Sequence, residues 1–210
     1  MLHLGVALGI LGLAVVVFLA FLFCLEAPQI PLPLRPPSRP GLWCMAHRAD
    51  RRFPFQHLFF RLTPADPSWA THRPDLFSHQ DKEGRYYCTL GAGPREGKLF
   101  LEFNRHFDLG EPVSFEGALA PTDGGVRGDT DWENLRIEAL LVAASAYEQG
   151  LGFTAWSRVS GGGYNCNSMI HELAARAEVF LPSFSRIVML CPGVGKGLPP
   201  AAFRRDAETT

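Results

Sequence analysis

The feature that most constrains this chain of 210 residues is an uncharged apolar run near its N-terminus, from Leu4 to Leu25. As an α-helix, about 22 residues at 1.5 Å each span roughly 33 Å, which matches the hydrocarbon thickness of a bilayer. The competing interpretation is a cleaved secretory signal, which requires a basic start and small residues at the cleavage site. Here only His3 precedes the run, and Phe21 and Phe23 stand where small residues are needed. The sequence therefore predicts a transmembrane anchor over residues 1–25, with the lipid bilayer contacting residues 4–25.

The chain after the anchor divides into three parts. Residues 26–42 are rich in proline, which predicts an extended, semi-rigid linker. Residues 43–191 are long enough for one folded domain, and residues 192–210 have the Gly/Pro-rich and then polar composition of a flexible tail. Arginines that follow the anchor favour a cytoplasmic domain, whereas a proline-rich stalk after an anchor is typical of a domain held outside the cytoplasm. On the second ground we expect a single-pass membrane protein with an extracytoplasmic domain.

Charge and cysteine content exclude several classes of partner. The chain carries 20 Lys and Arg against 21 Asp and Glu, so it lacks a basic field for nucleic acid, and we expect no nucleic-acid partner. The five cysteines form no CxxC pattern, and His72 with His79 fits a solvated loop better than a metal site, so no metal or other cofactor is predicted. In an oxidising compartment, Cys44 and Cys191 are expected to form a disulfide, because they lie near the two ends of the domain.

Three short runs rich in aromatic and β-branched residues predict consecutive antiparallel strands, because clusters of Pro, Asp and Gly separate them. The strands are expected at residues 57–62, 86–90 and 98–103. Turns are expected between them at 81–84 and 91–97. The second of these turns, together with Lys98 after it, has the sequence GAGPREGK, which lacks the spacing of a phosphate-binding loop.

Two helices are predicted in the second half of the chain. The first begins with a capping box from Thr130 to Glu133, continues with apolar residues at helical spacing, and ends at Gly150. The second begins at the polar segment 165–168, after three glycines, and has one apolar face. Strands followed by helices predict an α+β fold with helices packed on one side of an antiparallel sheet.

Cys166 is the residue whose position most strongly suggests chemistry. It lies in the first turn of the second helix, where unpaired backbone N–H groups and the positive end of the helix dipole stabilise a thiolate. The competing interpretation is an inert, buried cysteine. A cysteine nucleophile needs a base, and His57 is the best candidate because apolar residues follow it and would anchor its strand in the core. Among other histidines, His72 and His79 lie in a polar loop, His106 ends a strand, and His171 lies further along the helix of Cys166.

A histidine before an apolar strand, further antiparallel strands, and a helix that opens with Tyr164-Asn165-Cys166 resemble the circularly permuted papain-like cysteine hydrolases. This superfamily includes relatives of the NlpC-type peptidases, the lecithin:retinol acyltransferases and the deSUMOylating isopeptidases. His57 precedes Cys166 in the chain, which is the permuted order. The resemblance covers about residues 53–180 and implies a permuted papain-like fold.

The resemblance also implies a mechanism. His57 would take the thiol proton, Cys166 would attack an amide or ester carbonyl, and the Cys166 N–H would bind the oxyanion. Tyr164 and Asn165 serve either as further oxyanion donors or only as loop and helix cap. A third polar group should orient the histidine, and the candidates are Thr89, Glu102 and Asn104. The expected function is a membrane-anchored cysteine hydrolase or acyltransferase that acts on an amide or ester substrate near the bilayer. The alternatives are a catalytically inactive, membrane-tethered binding domain of the same fold and a plain interaction domain.

Overall fold

The structure, a computed structural model, describes residues 12, 40–50, 53–110, 113–122, 129–154, 163–182 and 195–204. The predicted anchor, except for Gly12, lies outside these residues, and so do the linker as far as residue 39 and Cys191 of the predicted disulfide. No helix within the described part of the chain is long and apolar enough to cross a membrane.

Seven of the described strands form one antiparallel sheet. They are β1 (Gly41–Asp50), β2 (Phe53–Thr63), β3 (His79–Gln80), β4 (Tyr86–Arg95), β5 (Lys98–Phe103), β6 (Val113–Ala118) and β8 (Leu151–Gly152). The order across the sheet is β6-β1-β2-β4-β5-β8, and β3 pairs with the start of β4. Two further short strands, β7 (Ala120–Pro121) and β9 (Val179–Phe180), pair with each other.

Four α-helices accompany the strands in the described part of the chain. They are α1 (Ser68–His72), α2 (His106–Gly110), α3 (Thr130–Ala146) and α4 (Cys166–Arg176), and a 3-10 turn follows at Pro200–Ala202. The α+β class and the antiparallel sheet are therefore as predicted, and so are the three strands that contain residues 57–62, 86–90 and 98–103.

The main hydrophobic core lies between one face of the sheet and the helices α3 and α4. Alternate residues of β2 point into it, namely Leu58, Phe60 and Leu62, all of them fully buried. His57 and Phe59 point to the opposite face, where α2 brings Phe107 and Asp108 against them. The short helix α2 thus lies across the sheet from α3 and α4, whereas the sequence predicted helices on one side only.

Two local predictions need correction. The segment 91–97 is not a turn as a whole, because β4 continues to Arg95 and only Glu96 and Gly97, with φ of 52° and 75°, form the turn to β5. The cap of α3 is Asp129 rather than Thr130, since the Asp129 carboxylate accepts hydrogen bonds from the backbone N–H groups of the first turn.

Part of the predicted flexible tail is packed against the domain. Phe203 is only 4% exposed, its ring lies 5.6 Å from that of Tyr147, and the Arg176 guanidinium lies 3.6 Å above it. Backbone hydrogen bonds join Glu148 N to Ala202 O and Arg204 N to Ala146 O. The folded domain therefore includes residues 195–204.

Candidate active site

His57 lies on β2 in the middle of a small polar and aromatic cluster on the sheet face opposite α3 and α4. The register of β1 and β2 places His47 directly across from His57, and the two ring centroids are 4.8 Å apart. Phe59 stacks beside the His57 ring at 6.2 Å, and Phe107 of α2 lies 5.7 Å from it. These contacts leave the His57 side chain 4% exposed, so its orientation is fixed by packing.

Asp108 is the carboxylate that contacts His57. Helix α2 is a single turn in which Asp108 N donates to Arg105 O, and this turn aims the Asp108 side chain at the sheet. His57 Nε2 lies 2.8 Å from Asp108 Oδ1. Because a carboxylate only accepts hydrogen bonds, Nε2 carries the proton and Nδ1 is left to face the other side of the ring. The pair thus fixes both the tautomer and the direction of the imidazole.

A second histidine shares the same carboxylate oxygen. His47 Nε2 lies 3.5 Å from Asp108 Oδ1, while its Nδ1 lies 3.1 Å from Arg48 O. Burial favours the neutral acid and is the largest single influence, but the hydrogen bonds from His47 and His57 and the charges of His57 and Arg105 outweigh it. Together they lower the pKa of Asp108 from 3.8 to about 2. Asp108 is therefore an anion at neutral pH.

Cys166 occupies the first position of α4, as predicted. Asn165 caps the helix, since its Oδ1 accepts from Ser168 N at 3.0 Å, and the Cys166 side chain remains partly exposed. An electrostatic interaction and a hydrogen bond with Cys166 both act to raise the pKa of His57, so the thiol lies beside the imidazole ring. Because Nε2 is bound to Asp108, Nδ1 is the ring nitrogen that remains for the thiol. The structure thus brings together the two residues that the sequence proposed as a dyad.

The pKa of His57 reflects this position between Cys166 and Asp108. Burial is the largest influence and works to lower the pKa, but the negative charge of Cys166, the hydrogen bonds with Asp108 and Cys166, and the charge of Asp108 act in the opposite direction. The result is a rise in the pKa from 6.5 to about 9. A positively charged imidazole ring stabilises the thiolate form of a cysteine beside it.

The three candidates for the orienting group lie elsewhere, and Asp108 takes their place. Glu102 pairs with Arg105 at 3.2 Å, and its side chain is 42% exposed. Asn104 accepts from Thr89 N and donates to Leu76 O, so its amide holds loop backbone rather than the imidazole. Thr89 is buried on β4 and its Oγ1 has no hydrogen-bond partner among the described residues.

Tyr164 and Asn165, the two residues proposed as oxyanion donors, make hydrogen bonds that hold the local backbone. The backbone of Tyr164 is bound on both sides, with its N–H donating to Gly152 O and its carbonyl accepting from Thr154 N. Lys196 lies 4.8 Å from the centre of the Tyr164 ring and donates to Gly163 O. Asn165 uses its side-chain oxygen as the cap of α4. The Cys166 N–H, which has no partner within the helix at this position, therefore stays the first candidate for the oxyanion donor.

The same cluster offers three donors of the kind that bind a divalent metal. His47, His57 and Asp108 each place one ligand atom within 4.8 Å of the others. An ion bound there would take His57 Nε2, which is the atom that donates to Asp108. Metal binding and the His57–Asp108 hydrogen bond thus exclude each other.

Sequence reasoning missed Asp108 and Asn167, whose amide bonds to β2 on both sides of His57. One signal for Asp108 was present, because Gly91 and Gly93 lie inside a strand, where glycine often marks close approach of another group. A Cβ on Gly91 would overlap the Asp108 carboxylate, and one on Gly93 would overlap the Arg105 guanidinium.

Comparisons with protein-family models, curated proteins and solved structures found no match to this chain.

Proposed function

We propose that this protein is a cysteine hydrolase or acyltransferase in which Cys166 is the nucleophile, His57 the acid–base group and Asp108 the carboxylate that orients the imidazole. The observation that carries the proposal is the position of His57 between a buried carboxylate, 2.8 Å from Nε2, and the sulfur of Cys166. A nucleophile, a base and a group that orients the base are the three parts that acyl transfer requires.

The reaction follows from these positions. His57 takes the thiol proton as the Cys166 sulfur attacks the carbonyl carbon of an amide or ester, and the carbonyl electrons move to an oxyanion beside the Cys166 N–H. The tetrahedral intermediate then expels the amine or alcohol, which takes a proton from His57, and leaves a thioester on Cys166. Water or another acceptor next gives its proton to His57 and attacks the thioester, which releases the acyl product and restores the thiol–imidazole pair.

A permuted papain-like fold is part of the proposal. The histidine strand β2 comes first, Asp108 follows after β5, and the helix that carries the cysteine comes last, packed on an antiparallel sheet. That order and the contact between α4 and β2 support this fold. The alternative of an inactive domain of the same fold predicts an intact site without turnover.

The experiment is hydrolysis of p-nitrophenyl butyrate by the full-length chain in detergent micelles, with mass spectrometry of the protein during turnover. We expect release of p-nitrophenol and a transient butyryl group on Cys166. Cys166→Ala should abolish both, and His57→Ala should reduce the rate by about 10²–10⁴-fold, the usual contribution of a general base. His72→Ala, which alters an exposed histidine away from the site, is the matched control. A Cys166→Ala variant with the full rate would exclude the mechanism.

We also propose that the domain is held at a bilayer by residues 4–25, with the domain on the extracytoplasmic side. The uncharged, apolar composition of that run supports the anchor. Full-length protein expressed in cells should stay with membranes after carbonate extraction, and protease added to intact cells should cleave the domain. Release by carbonate would contradict the anchor, and protection from protease would contradict the sidedness.

A further inference from the structure

The side-chain amide of Asn167 binds the backbone of β2 on both sides of His57. Asn167 Oδ1 accepts from Leu58 N at 2.9 Å, and Asn167 Nδ2 donates to Gln56 O at 3.0 Å. The side chain is buried, with the residue 1% exposed. From this geometry we infer that Asn167 is a positioning residue that sets the distance between Cys166 and His57. The inference rests on the function proposed above.

The Asn167 amide binds β2 at a point where β4 does not pair with that strand. Strand β4 pairs with β2 only from Phe59 onward, where Phe59 is opposite Gly91, and the backbone of β2 before that point lies beyond the β4 ladder. Asn167 bonds to the carbonyl before His57 and to the N–H after it. These are the bonds that a residue opposite His57 makes in a parallel ladder. The amide thus substitutes for one residue of a neighbouring strand, in register with the histidine.

Register matters because Cys166 directly precedes Asn167 at the start of α4. Two hydrogen bonds to β2 fix the position of the helix end along the strand, and with it the position of the sulfur against the ring. Asn167 Oδ1 also lies 3.5 Å from Cys166 Sγ, so one oxygen is shared by the β2 backbone and the thiol. A shift of the helix end by one strand residue would leave the sulfur opposite a side chain on the other face of the sheet.

A purely structural role for Asn167 predicts a different outcome from a positioning role. The chain offers a control in Gln149, whose amide also makes two bonds to a strand, both of them to one residue of β5: it accepts from Leu101 N at 2.9 Å and donates to Leu101 O at 3.1 Å. Both Asn167→Ala and Gln149→Ala remove an amide that holds a strand. Only the first loosens the contact between Cys166 and His57.

The test measures p-nitrophenyl butyrate hydrolysis and the titration of the His57 ring by NMR in full-length protein. For Asn167→Ala we expect kcat to fall by about 100-fold, the effect of a misplacement of about 1 Å, with KM unchanged. The pKa of His57 should fall below about 9, because the charge and hydrogen bond of Cys166 raise it. Gln149→Ala should keep both kcat and the His57 titration. Asn167→Asp, which keeps the acceptor and adds a charge beside the sulfur, should move the acidic limb of the kcat/KM profile to higher pH.

Equal kcat and equal His57 titration in wild-type, Asn167→Ala and Gln149→Ala proteins would overturn the positioning role. That result differs from a failure of the proposed function, which would appear as full activity in Cys166→Ala. If wild-type protein does not hydrolyse the ester, the His57 titration still decides the positioning role, because it reports the Cys166–His57 contact without turnover.

Discussion

The carboxylate of Asp108 lies against Gly91 in the space that a side chain at position 91 would fill. Gly91 is on β4, beside Phe59, and the missing side chain lets α2 bring Asp108 down to the sheet and within 2.8 Å of His57. A glycine in a strand interior gives up packing and costs conformational entropy. Here it makes room for the group that orients the histidine.

Gly91→Ala should therefore act on the site rather than only on the fold. The new methyl group overlaps Asp108 Oδ2, so the carboxylate must move away from His57. We expect slower ester hydrolysis, a lower pKa of the His57 ring, and a loss of about 1–3 kcal/mol in the free energy of unfolding, as for other overpacked sites. Gly152→Ala is the control, because nothing lies within 4 Å of the position of its Cβ. Unchanged activity in Gly91→Ala would show that Asp108 does not need this position.

Asp108→Asn should separate orientation from charge. Asparagine fills the same space but lacks the negative charge and can accept only through one oxygen, so it holds the wrong tautomer of His57 as readily as the right one. We expect hydrolysis to slow by roughly 10²–10⁴-fold and the pKa of His57 to fall, because a hydrogen bond and a charge from Asp108 both raise it. Rates are compared with Asp75→Asn, an exposed aspartate on a turn. An Asp108→Asn protein with the wild-type rate would remove Asp108 from the mechanism.

The pH dependence of stability follows from the same two groups. The pKa of His57 is raised from 6.5 to about 9, so its contribution to stability is complete below pH 6.5 and is lost as the pH rises through 9. The pKa of Asp108 is lowered from 3.8 to about 2, so its contribution is present above pH 3.8 and is lost as the pH falls through 2.

Urea unfolding of the full-length chain measures this directly. The free energy of unfolding should decrease between about pH 6.5 and about pH 9 in the wild-type protein, and this decrease should be smaller in His57→Ala. Cys166→Ala should show an intermediate slope, because it removes only part of what raises the His57 pKa. Identical slopes in wild-type and His57→Ala proteins would mean that His57 is not protonated as described.

The packed segment near the C-terminus gives a prediction about stability alone. Phe203 contacts Tyr147 and Arg176 and is 4% exposed, so Phe203→Ala should lower the free energy of unfolding by about 3–5 kcal/mol. Arg204→Ala, with a side chain that is 74% exposed, should change it by less than about 0.5 kcal/mol. Chemical denaturation of both variants distinguishes a packed segment from a flexible tail, for which neither substitution would matter.

Cys166 and His57 could be predicted from the sequence because local residue patterns indicate the helix and the strand that carry them. Asn165 is a helix cap of a well-known type, and the apolar spacing after it predicts α4, so the position of Cys166 at the helix start followed from neighbouring residues alone. His57 was found because apolar residues after it predict a buried strand. The contact between His57 and Cys166 is a tertiary contact. In the sequence, only the resemblance to the permuted papain-like hydrolases predicts it.

Asp108 could not be predicted in the same way. Its helix α2 is one turn of five residues with no apolar periodicity, and the contact with His57 joins segments that are 51 residues apart. The predicted candidates lie on or directly after the strands next to the histidine, whereas the Asp108 carboxylate reaches the site from a short helical turn packed on the sheet. Strand β1, which carries His47, was missed as well, because both of its faces are buried and its sequence shows no alternation of polar and apolar residues.

The most direct measurement is the rate at which iodoacetamide alkylates each cysteine of the native full-length protein as a function of pH, with the modified residue located by mass spectrometry. We expect Cys166 to react first, while Cys88 stays unmodified because burial raises its pKa to about 12. His57→Ala should move the Cys166 profile to higher pH, and His72→Ala should leave it in place. A Cys166 that reacts more slowly than Cys44 or Cys88, or a profile that His57→Ala does not change, would contradict the proposed Cys166–His57–Asp108 site.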